Sequence, residues 1–443
     1  MISLPDEFDE GHDHGDAAGP TPVGPSEPTG RYLVVLADAL QGDTEAMSAA
    51  LRSVAGVSDV AQGSDFSEDI ELAPGGGSVT ALLFPRIGVA VVTGEPDRLA
   101  WLAAAAEQDE RIEAIEPERT LYAFSQPSVL TVEYLRGYRD AAVKLYEHAN
   151  GTAEVAVQFE DTPEFTWGLQ ATKVATSRWG GDGVAVAMLD TGLDLSHPDF
   201  ANRRITSRSF VSDETPQDGH GHGTHVTGTS SGPADPPGES RRYGVASNDS
   251  IFIGKVLSNR GSGTDAQILA GIEWAITNQC RVISLSLGAN VRTVSPTYEA
   301  TGRRALDAGC LIVAAAGNNA DRARGSFGFV ARPANSPSIM AVGAVDSQLA
   351  IANFSARSNP VSGGQVDIVG PGVAVYSSWP VPTPYRVISG TSMSTPHVAG
   401  IAALLSQTSG ATGSALWGLL VRTAQQLPLP SVDVGAGLVQ APQ

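Results

Sequence analysis

The stretch Val186-Ala-Met-Leu-Asp190-Thr-Gly-Leu-Asp-Leu-Ser-His-Pro-Asp199 decides the fold, because it changes abruptly from apolar to polar at Asp190. Six apolar residues, 184–189, precede this aspartate, and Thr-Gly follows it. A short apolar run of this kind is typical of a strand that is buried on both faces of a sheet. Ligands of open α/β sheets bind at the carboxyl ends of the strands, so Asp190 is predicted to lie at a functional edge.

Further runs of the same kind indicate the fold class. They cover residues 184–189, 251–256, 282–287 and 311–316, and helical stretches separate them. Short, continuously apolar strands that alternate with helices are typical of a doubly wound α/β fold with a mostly parallel sheet. We therefore predict this fold for the larger, C-terminal part of the chain.

Two other segments carry the residue types that complete a nucleophile, base and acid set. They are His222-Gly-Thr-His225-Val-Thr-Gly228 and Gly390-Thr-Ser392-Met-Ser-Thr-Pro-His397-Val-Ala-Gly400. Ser392 is predicted to open a helix, with Pro396 in its first turn, so that the positive end of the helix dipole faces a developing oxyanion. The order Asp, His, Ser differs from the order Ser, acid, His of the α/β-hydrolases.

The chain from Trp167 onwards resembles the subtilisin-like serine proteases (subtilases). All three segments match, and Val313-Ala-Ala-Ala-Gly-Asn318 matches a fourth block between them. The resemblance implies a serine endopeptidase that needs no cofactor for catalysis. It also implies that Asp190 orients the imidazole, His222 is the general base and acid, and Ser392 is the nucleophile. Asn318 then supplies an oxyanion donor.

Two other functions remain open on the sequence. His220, His222 and His225 form the spacing His-x-His-x-x-His of metallo-β-lactamase-type hydrolases, which place an aspartate where this chain has Thr224. After His225 the only further histidine is His397, which lies within the serine block. The other alternative is a silenced subtilase that only binds peptides.

The resemblance also implies how a peptide substrate binds. Two backbone segments are expected to clamp an extended peptide by strand addition, and a pocket without acidic residues is expected to favour neutral, apolar or aromatic side chains. Ala331 stands where many subtilases have glycine, which would shorten this pocket. The predicted substrate-binding residues are Gly261, Ser262, Gly263, Ser286, Leu287, Gly288, Ala289, Ala315, Ala316, Gly317 and Asn319.

The N-terminal part divides into three segments. Residues 1–30 are acidic, lack periodicity and are predicted to be a disordered tail. Residues 31–124 show the order strand, helix, two strands, helix over residues 96–107, and strand, which predicts a ferredoxin-like α+β domain. This domain resembles a subtilase propeptide whose tail, residues 118–124, enters the cleft. Residues 125–166 are a predicted linker with an amphipathic helix over residues 133–149, and residues 167–443 are the predicted catalytic domain.

Composition limits the partners and the compartment. The formal net charge of -20 argues against nucleic acid and anionic membranes as partners, and favours polypeptide substrates and the chain's own propeptide. The first 30 residues contain no Lys, no Arg and no apolar run, so they do not form a secretory signal. No stretch approaches the ~20 apolar residues of a membrane-spanning helix. A cytoplasmic protein is expected.

Two smaller features complete the sequence-based expectations. Asp199 matches a family calcium ligand, which implies a structural calcium ion there, although residues 233–243 replace the loop that would complete the cage. Cys280 and Cys310 each precede a predicted strand. If these strands are neighbours, the two cysteines could be disulfide-bonded, but buried free thiols are the simpler interpretation.

Overall fold

The computed structural model describes residues 26–63, 80–93, 109–124, 158–237, 240–359 and 364–443. Most of the acidic tail and the predicted helices over residues 96–107 and 133–149 lie outside these ranges. The described residues form an N-terminal unit (residues 26–124) and a C-terminal unit (residues 158–443).

The N-terminal unit is a sheet with one helix in its described part. The strands follow the order β5-β1-β4-β3-β2, and neighbours are antiparallel except β2 and β3. The first strand begins at Pro28, inside the predicted tail, because Thr29 and Arg31 hydrogen bond to Glu118 of the last strand. The elements are β1 (Pro28–Leu36), α1 (Thr44–Ala55), β2 (Asp59–Gln62), β3 (Thr80–Phe84), β4 (Val89–Thr93) and β5 (Ile112–Ala123).

The centre of this N-terminal sheet is buried on both faces, which explains the apolar runs in β1, β3 and β4. Alternate residues such as Val34 and Leu83 pack against α1. The residues between them, such as Leu33 and Leu82, join the core of the C-terminal unit. The two units therefore share one hydrophobic core, and separating them would expose this apolar face.

The C-terminal unit contains a seven-stranded sheet in which all neighbours are parallel, as predicted. The order is β14-β13-β12-β10-β6-β8-β7. Its strands are β6 (Ala185–Asp190), β7 (Ile205–Ser209), β8 (Ser250–Lys255), β10 (Val282–Leu285), β12 (Leu311–Ala315), β13 (Met340–Val345) and β14 (Ile368–Pro371). Two short strands, β9 (Ser262–Thr264) and β11 (Leu287–Gly288), pair with β5, and β15 (Val375–Ser378) and β16 (Tyr385–Ile388) form a hairpin.

Helices cover both faces of the parallel sheet. Along β6, Val186 and Met188 join the core that includes the helices at residues 222–231 and 391–409, whereas Ala187 and Leu189 join the core that includes the helix at residues 265–277. This alternation is that of a doubly wound fold. No helix within the described ranges is long and apolar enough to cross a membrane. The helices are α2 (Trp167–Ala171), α3 (His222–Ser231), α4 (Asp265–Thr277), α5 (Pro296–Asp307), α6 (Thr391–Ser409), α7 (Gly413–Thr423) and α8 (Ser431–Val434).

Candidate active site

Asp190 and His222 form a buried hydrogen-bonded pair. Asp190 is the last residue of β6, and His222 is the first residue of α3. The distance from His222 Nδ1 to Asp190 Oδ1 is 2.8 Å, and the Thr191 backbone N–H donates to the same oxygen at 2.7 Å. His222 Nε2 is buried and has no hydrogen-bond partner among the described residues. The nitrogen that would exchange a proton with a nucleophile is therefore uncommitted.

A second carboxylate, which sequence analysis missed, fixes the start of α3. Asp218 Oδ1 accepts from the backbone N–H groups of His220 and Gly221, each at 2.9 Å. Its other oxygen accepts from the Thr224 backbone N–H at 2.8 Å. An acid just before a helix N-terminus is a recognisable capping signal, and it satisfies N–H groups that have no partner within the helix.

The residue before His222 must be a glycine, because the indole of Trp379 lies too close to its backbone for a side chain. Gly221 has a φ of 101°, and a Cβ atom there would lie 2.3 Å from Cζ2 of Trp379. Both the backbone conformation and the indole therefore exclude a side chain. The indole at this point limits where the start of α3 can lie.

Ser392 is fully buried near the start of α6, and its hydroxyl is not bonded to His222. Ser392 Oγ donates to the Ser286 carbonyl oxygen at 2.8 Å, and Ser286 Oγ donates to the Ser392 carbonyl oxygen at 2.8 Å. Pro396 is the sixth residue of α6, not part of the first turn as predicted. Because proline lacks an N–H, the carbonyl four residues earlier needs another donor, and Ser286 supplies it.

Asn318 has its amide fixed in one orientation. Its Oδ1 accepts from the backbone N–H of Thr391 at 3.0 Å and from Thr391 Oγ1 at 2.9 Å. Its Nδ2 donates to the carbonyl oxygen of Phe124 at 3.1 Å. A Cβ atom at Gly390 would lie 2.7 Å from the same carbonyl oxygen. The carbonyl of Phe124 therefore lies between Asn318 and the Gly390–Ser392 turn.

The end of β5 runs between two short strands of the C-terminal unit, β9 and β11. Leu121 pairs with Gly263 and Tyr122 with Ser262 on β9, while Ala123 pairs with Leu287 on β11. The backbone N–H of Ala123 donates to the Gly261 carbonyl at 3.0 Å, and that of Phe124 donates to the Ser286 carbonyl at 3.3 Å. The chain's own residues are thus added as a middle strand by backbone hydrogen bonds.

The ring of Phe124 fills an apolar pocket. It is 2% exposed and packs against Ala315 and Ala331. A Cβ atom at Gly288 would lie 2.5 Å from Cε2 of the ring, so a larger residue there would close the pocket. Gly317, at a φ of 117°, comes close to Ala331.

The other predicted pocket residues form hydrogen bonds around the segments that line the pocket. The Ala316 carbonyl accepts from the Ala331 N–H at 2.8 Å, and the Ala289 N–H donates to the Arg332 carbonyl at 2.9 Å. Asn319 hydrogen bonds through its side chain to the backbone of Phe329 and to Asn290. These residues hold the pocket loop in place.

The comparisons with known proteins agree with this geometry. The family model of the subtilases matches residues 181–438. The chain belongs to the subtilase family. It is 41% identical to Subtilisin DY of Bacillus licheniformis over 54% of this chain and 81% of that protein. It is 41% identical to Subtilisin E of Bacillus subtilis (strain 168), over 54% and 59%, and 39% identical to the Alkaline protease of Alkalihalobacillus alcalophilus, over 69% and 74%.

Family membership makes this subtilase a subtilisin-like serine endopeptidase that acts on polypeptides. The predicted cytoplasmic location is wrong, because relatives such as Subtilisin E and the Alkaline protease are secreted extracellular enzymes. The absence of a cationic, apolar leader from the first 30 residues does not determine where a protein with this catalytic unit acts.

His220, His222 and His225 of this subtilase are not arranged to bind one metal ion together. His225 Nε2 faces the carbonyl of Val375 at 3.1 Å, and burial lowers the pKa of His225 to about 3. The rings of His220 and His222 are 6.3 Å apart. No group of three His, Cys, Asp or Glu that could hold a metal ion occurs in the described ranges. The metallohydrolase alternative also conflicts with membership of the subtilase family, which is a family of serine proteases.

The surroundings of Asp199 do not fit the calcium ion that the family resemblance implies. Asp199 is buried, and both of its carboxylate oxygens accept hydrogen bonds from phenols, Oδ2 from Tyr243 and Oδ1 from Tyr385 at 3.1 Å. Burial, together with the negative charge of Asp199, raises the pKa of Tyr243 well above its usual value, so this hydroxyl stays a donor. Calcium needs six to eight oxygen ligands. Tyr243 ends the segment that replaces the expected loop.

This arrangement predicts that Asp199 contributes no calcium-dependent stability. Thermal unfolding should be measured in the Ser392→Ala chain, which cannot digest itself, with and without the further substitution Asp199→Asn. Any effect of calcium on Tm should be the same in the two chains. Tyr243→Phe should lower stability by about 1–3 kcal/mol, because it leaves a buried carboxylate oxygen without its donor. A rise in Tm with calcium that disappears in Asp199→Asn would contradict the prediction.

Carboxylates of the N-terminal unit cap two helices of the subtilase unit, which sequence analysis also missed. Glu118 is fully buried and accepts from the Ala266 N–H at the start of α4 at 3.0 Å. Glu116 accepts from the Thr297 N–H at the start of α5 at 3.1 Å. Negative charge at a helix N-terminus is stabilising. Each of the two helices therefore has a capping partner in the other unit.

A buried arginine of the subtilase unit donates its hydrogen bonds to acceptors of the N-terminal unit. Arg304 of α5 donates to the carbonyl oxygens of Leu36 and Ile87, each at 2.6 Å, and to the Asp38 carboxylate at 2.8 Å. A guanidinium that is 1% exposed must be fully hydrogen-bonded. Separating the two units would remove all three acceptors at once.

Both cysteines are free and buried, which agrees with the simpler of the two interpretations. Burial raises the pKa of Cys280 to about 12 and raises that of Cys310 well above its usual value. Such thiols are inert and act as small apolar side chains.

Proposed function

We propose that the chain hydrolyses peptide bonds through Asp190, His222 and Ser392, and that it is made as a self-inhibited precursor. The observation that carries the proposal is the hydrogen bond from Asn318 Nδ2 to the carbonyl oxygen of Phe124. A carbonyl held by this amide, beside Ser392, has the position of the carbonyl of a cleaved peptide bond.

The proposed reaction has two steps. Ser392 Oγ attacks the carbonyl carbon, and its proton passes to His222 Nε2, while Asn318 Nδ2 donates to the oxyanion. His222 then gives this proton to the leaving amine, and an acyl-enzyme remains. In the second step His222 takes a proton from water and the hydroxide attacks the acyl carbon. The bond from this carbon to Ser392 Oγ then breaks, and His222 returns the proton to Oγ. Asp190 stabilises the imidazolium throughout. The hydroxyl of Ser392 must first turn from the Ser286 carbonyl towards His222.

We further infer that residues 31–124 are a propeptide domain of the ferredoxin-like type. The strand order β5-β1-β4-β3, in which all neighbours are antiparallel, supports this, and β2 is an additional edge strand that runs parallel to β3. The tail Leu121-Tyr-Ala-Phe124 then acts as a bound product of self-cleavage between Phe124 and Ser125.

Labelling with a fluorophosphonate tests the chemistry. The activated wild-type enzyme should be labelled on one serine, and Ser392→Ala should abolish labelling. A labelled Ser392→Ala chain would refute the assignment of the nucleophile. An unlabelled wild-type enzyme that still hydrolyses peptides would favour a different mechanism, and one that neither labels nor hydrolyses would be a silenced subtilase.

The pocket around Phe124 predicts a preference for aromatic side chains before the cleaved bond. Peptides Leu-Tyr-Ala-X with a chromogenic leaving group should give a kcat/KM for X = Phe that is at least about 10²-fold higher than for Lys or Glu, because the pocket offers an ionised group no partner. Ala331→Leu should lower the value for Phe by roughly tenfold or more and change that for Ala far less. Equal values for Phe and Lys would contradict the pocket assignment.

A further inference from the structure

Lys255 is a fully buried cation next to the Asp190–His222 pair. The chain has only three lysines, Lys144, Lys173 and Lys255, among 28 basic residues. Lys255 is the last residue of β8, is 0% exposed, and lies directly opposite Asp190 in the parallel pairing of β6 and β8. A buried ammonium group is costly unless it is paired and hydrogen-bonded. Its position therefore needs an explanation.

The Lys255 ammonium has three acceptors, one for each of its N–H bonds. Nζ lies 2.5 Å from the carbonyl oxygen of Thr191, 2.9 Å from Asn259 Oδ1 and 3.1 Å from Glu214 Oε2. Three separate acceptors suit an ammonium better than the planar fork of an arginine. This explains why lysine stands here in a chain whose basic residues are mostly arginine.

These acceptors connect the loops on either side of the catalytic pair. Thr191 directly follows Asp190. Asn259 Oδ1 also accepts from the backbone N–H of Gly219 at 2.8 Å, in the loop that leads to His222. Glu214 accepts from the Asn259 backbone N–H at 2.9 Å and so holds this asparagine in place. A continuous path runs from the Thr191 carbonyl through Lys255 and Asn259 to Gly219.

We propose that Lys255 and Asn259 form a positioning bridge that sets the orientation of Asp190 relative to His222. The inference rests on the proposed triad. Neither side chain hydrogen bonds to the strand that occupies the substrate position, residues 121–124, so both act through the loops that they join. Small displacements of catalytic groups have large effects on rate, because reaction needs a near-attack geometry.

The charge of Lys255 should also act on the histidine segment. The charged groups that act on His220 are His222, Asp218, Asp190 and Lys255. The pKa of His220 is lowered mainly by burial, then by the charge of His222, and in part by Lys255. A cation at this place disfavours the imidazolium form of a neighbouring histidine, whereas the carboxylates of Asp218 and Asp190 favour it.

Asn259 gives the clearest test, because it is an exposed residue whose replacement should not unfold the chain. In the processed enzyme, Asn259→Leu should lower the rate of fluorophosphonate labelling and kcat together by roughly tenfold to a hundredfold, with KM changed by less than about twofold. Asn259→Asp, which keeps the acceptor, should retain most of both. An unchanged labelling rate with a raised KM would show that Asn259 only shapes the substrate-binding turn, and would overturn the bridge.

Lys255→Met tests the charge, with the exposed Lys173→Met as its matched control. Lys255→Met should lower kcat and move the acidic limb of the pH profile of kcat/KM to higher pH, whereas Asn259→Leu should leave that limb in place. Lys173→Met should change neither. If Lys255→Met does not fold, the comparison of Asn259→Leu with Asn259→Asp tests the proposal by itself. Failure of the triad itself would appear separately, as Ser392→Ala enzyme with undiminished labelling and activity.

Discussion

Ser392→Ala, His222→Ala and Asp190→Asn should each lower kcat for peptide hydrolysis by about 10⁴-fold or more, which is the magnitude known for the corresponding triad of subtilisin. The physical reason is that the three side chains move one proton as a unit. Their effects should therefore not add: the triple variant should be about as slow as Ser392→Ala alone. Single-turnover kinetics with a chromogenic peptide would measure this, on chains from which an added protease has removed the inhibiting N-terminal part.

His225→Gln is the matched control for the triad. His225 lies on the same helix as His222, but its Nε2 hydrogen bonds to the carbonyl of Val375 at 3.1 Å. A glutamine amide can donate to that carbonyl, so activity should fall far less than in His222→Ala. If His225→Gln proved as damaging as His222→Ala while Ser392→Ala kept most activity, the triad assignment would be wrong.

The second large effect concerns processing. The wild-type chain should cut itself between Phe124 and Ser125, whereas Ser392→Ala should remain at the full 443 residues. The reason is that the tail is already paired with both β9 and β11 and that the Phe124 carbonyl is hydrogen-bonded to Asn318. N-terminal sequencing of the active enzyme measures this directly. A fully active enzyme that still begins at Met1 would refute both processing and self-inhibition.

The cleaved N-terminal part should remain bound and inhibit the enzyme. Residues 26–124 added in trans should inhibit the processed enzyme, because they restore a shared core and the caps on α4 and α5. Arg304→Leu in the enzyme should weaken this inhibition by roughly tenfold or more, since it removes donors to Leu36, Ile87 and Asp38. Hydrolysis of a small peptide by the Arg304→Leu enzyme alone should be little changed.

Several features could be predicted from sequence because they depend on local pattern. The apolar run before Asp190, and the glycines and helix signals around His222 and Ser392, are properties of a few neighbouring residues. Such patterns fix strands, helix starts and the residue types available for chemistry. The strand ends could not be placed as well. β1 begins at Pro28 because of a partner about ninety residues away, Glu118, which no local pattern contains.

The amino-acid sequence by itself therefore determined the parallel α/β fold, the serine endopeptidase class and the candidate residues Asp190, His222, Ser392 and Asn318. Only the tertiary structure decided which groups these residues meet. In the structure, the carboxylate of Asp199 accepts hydrogen bonds from two tyrosines, and the carbonyl of Ser392 accepts one from Ser286. The carbonyl of Thr191, in the loop after Asp190, accepts one from Lys255. The reason is physical: buried polar groups must be satisfied, but which partner satisfies them depends on chain segments that only folding brings together.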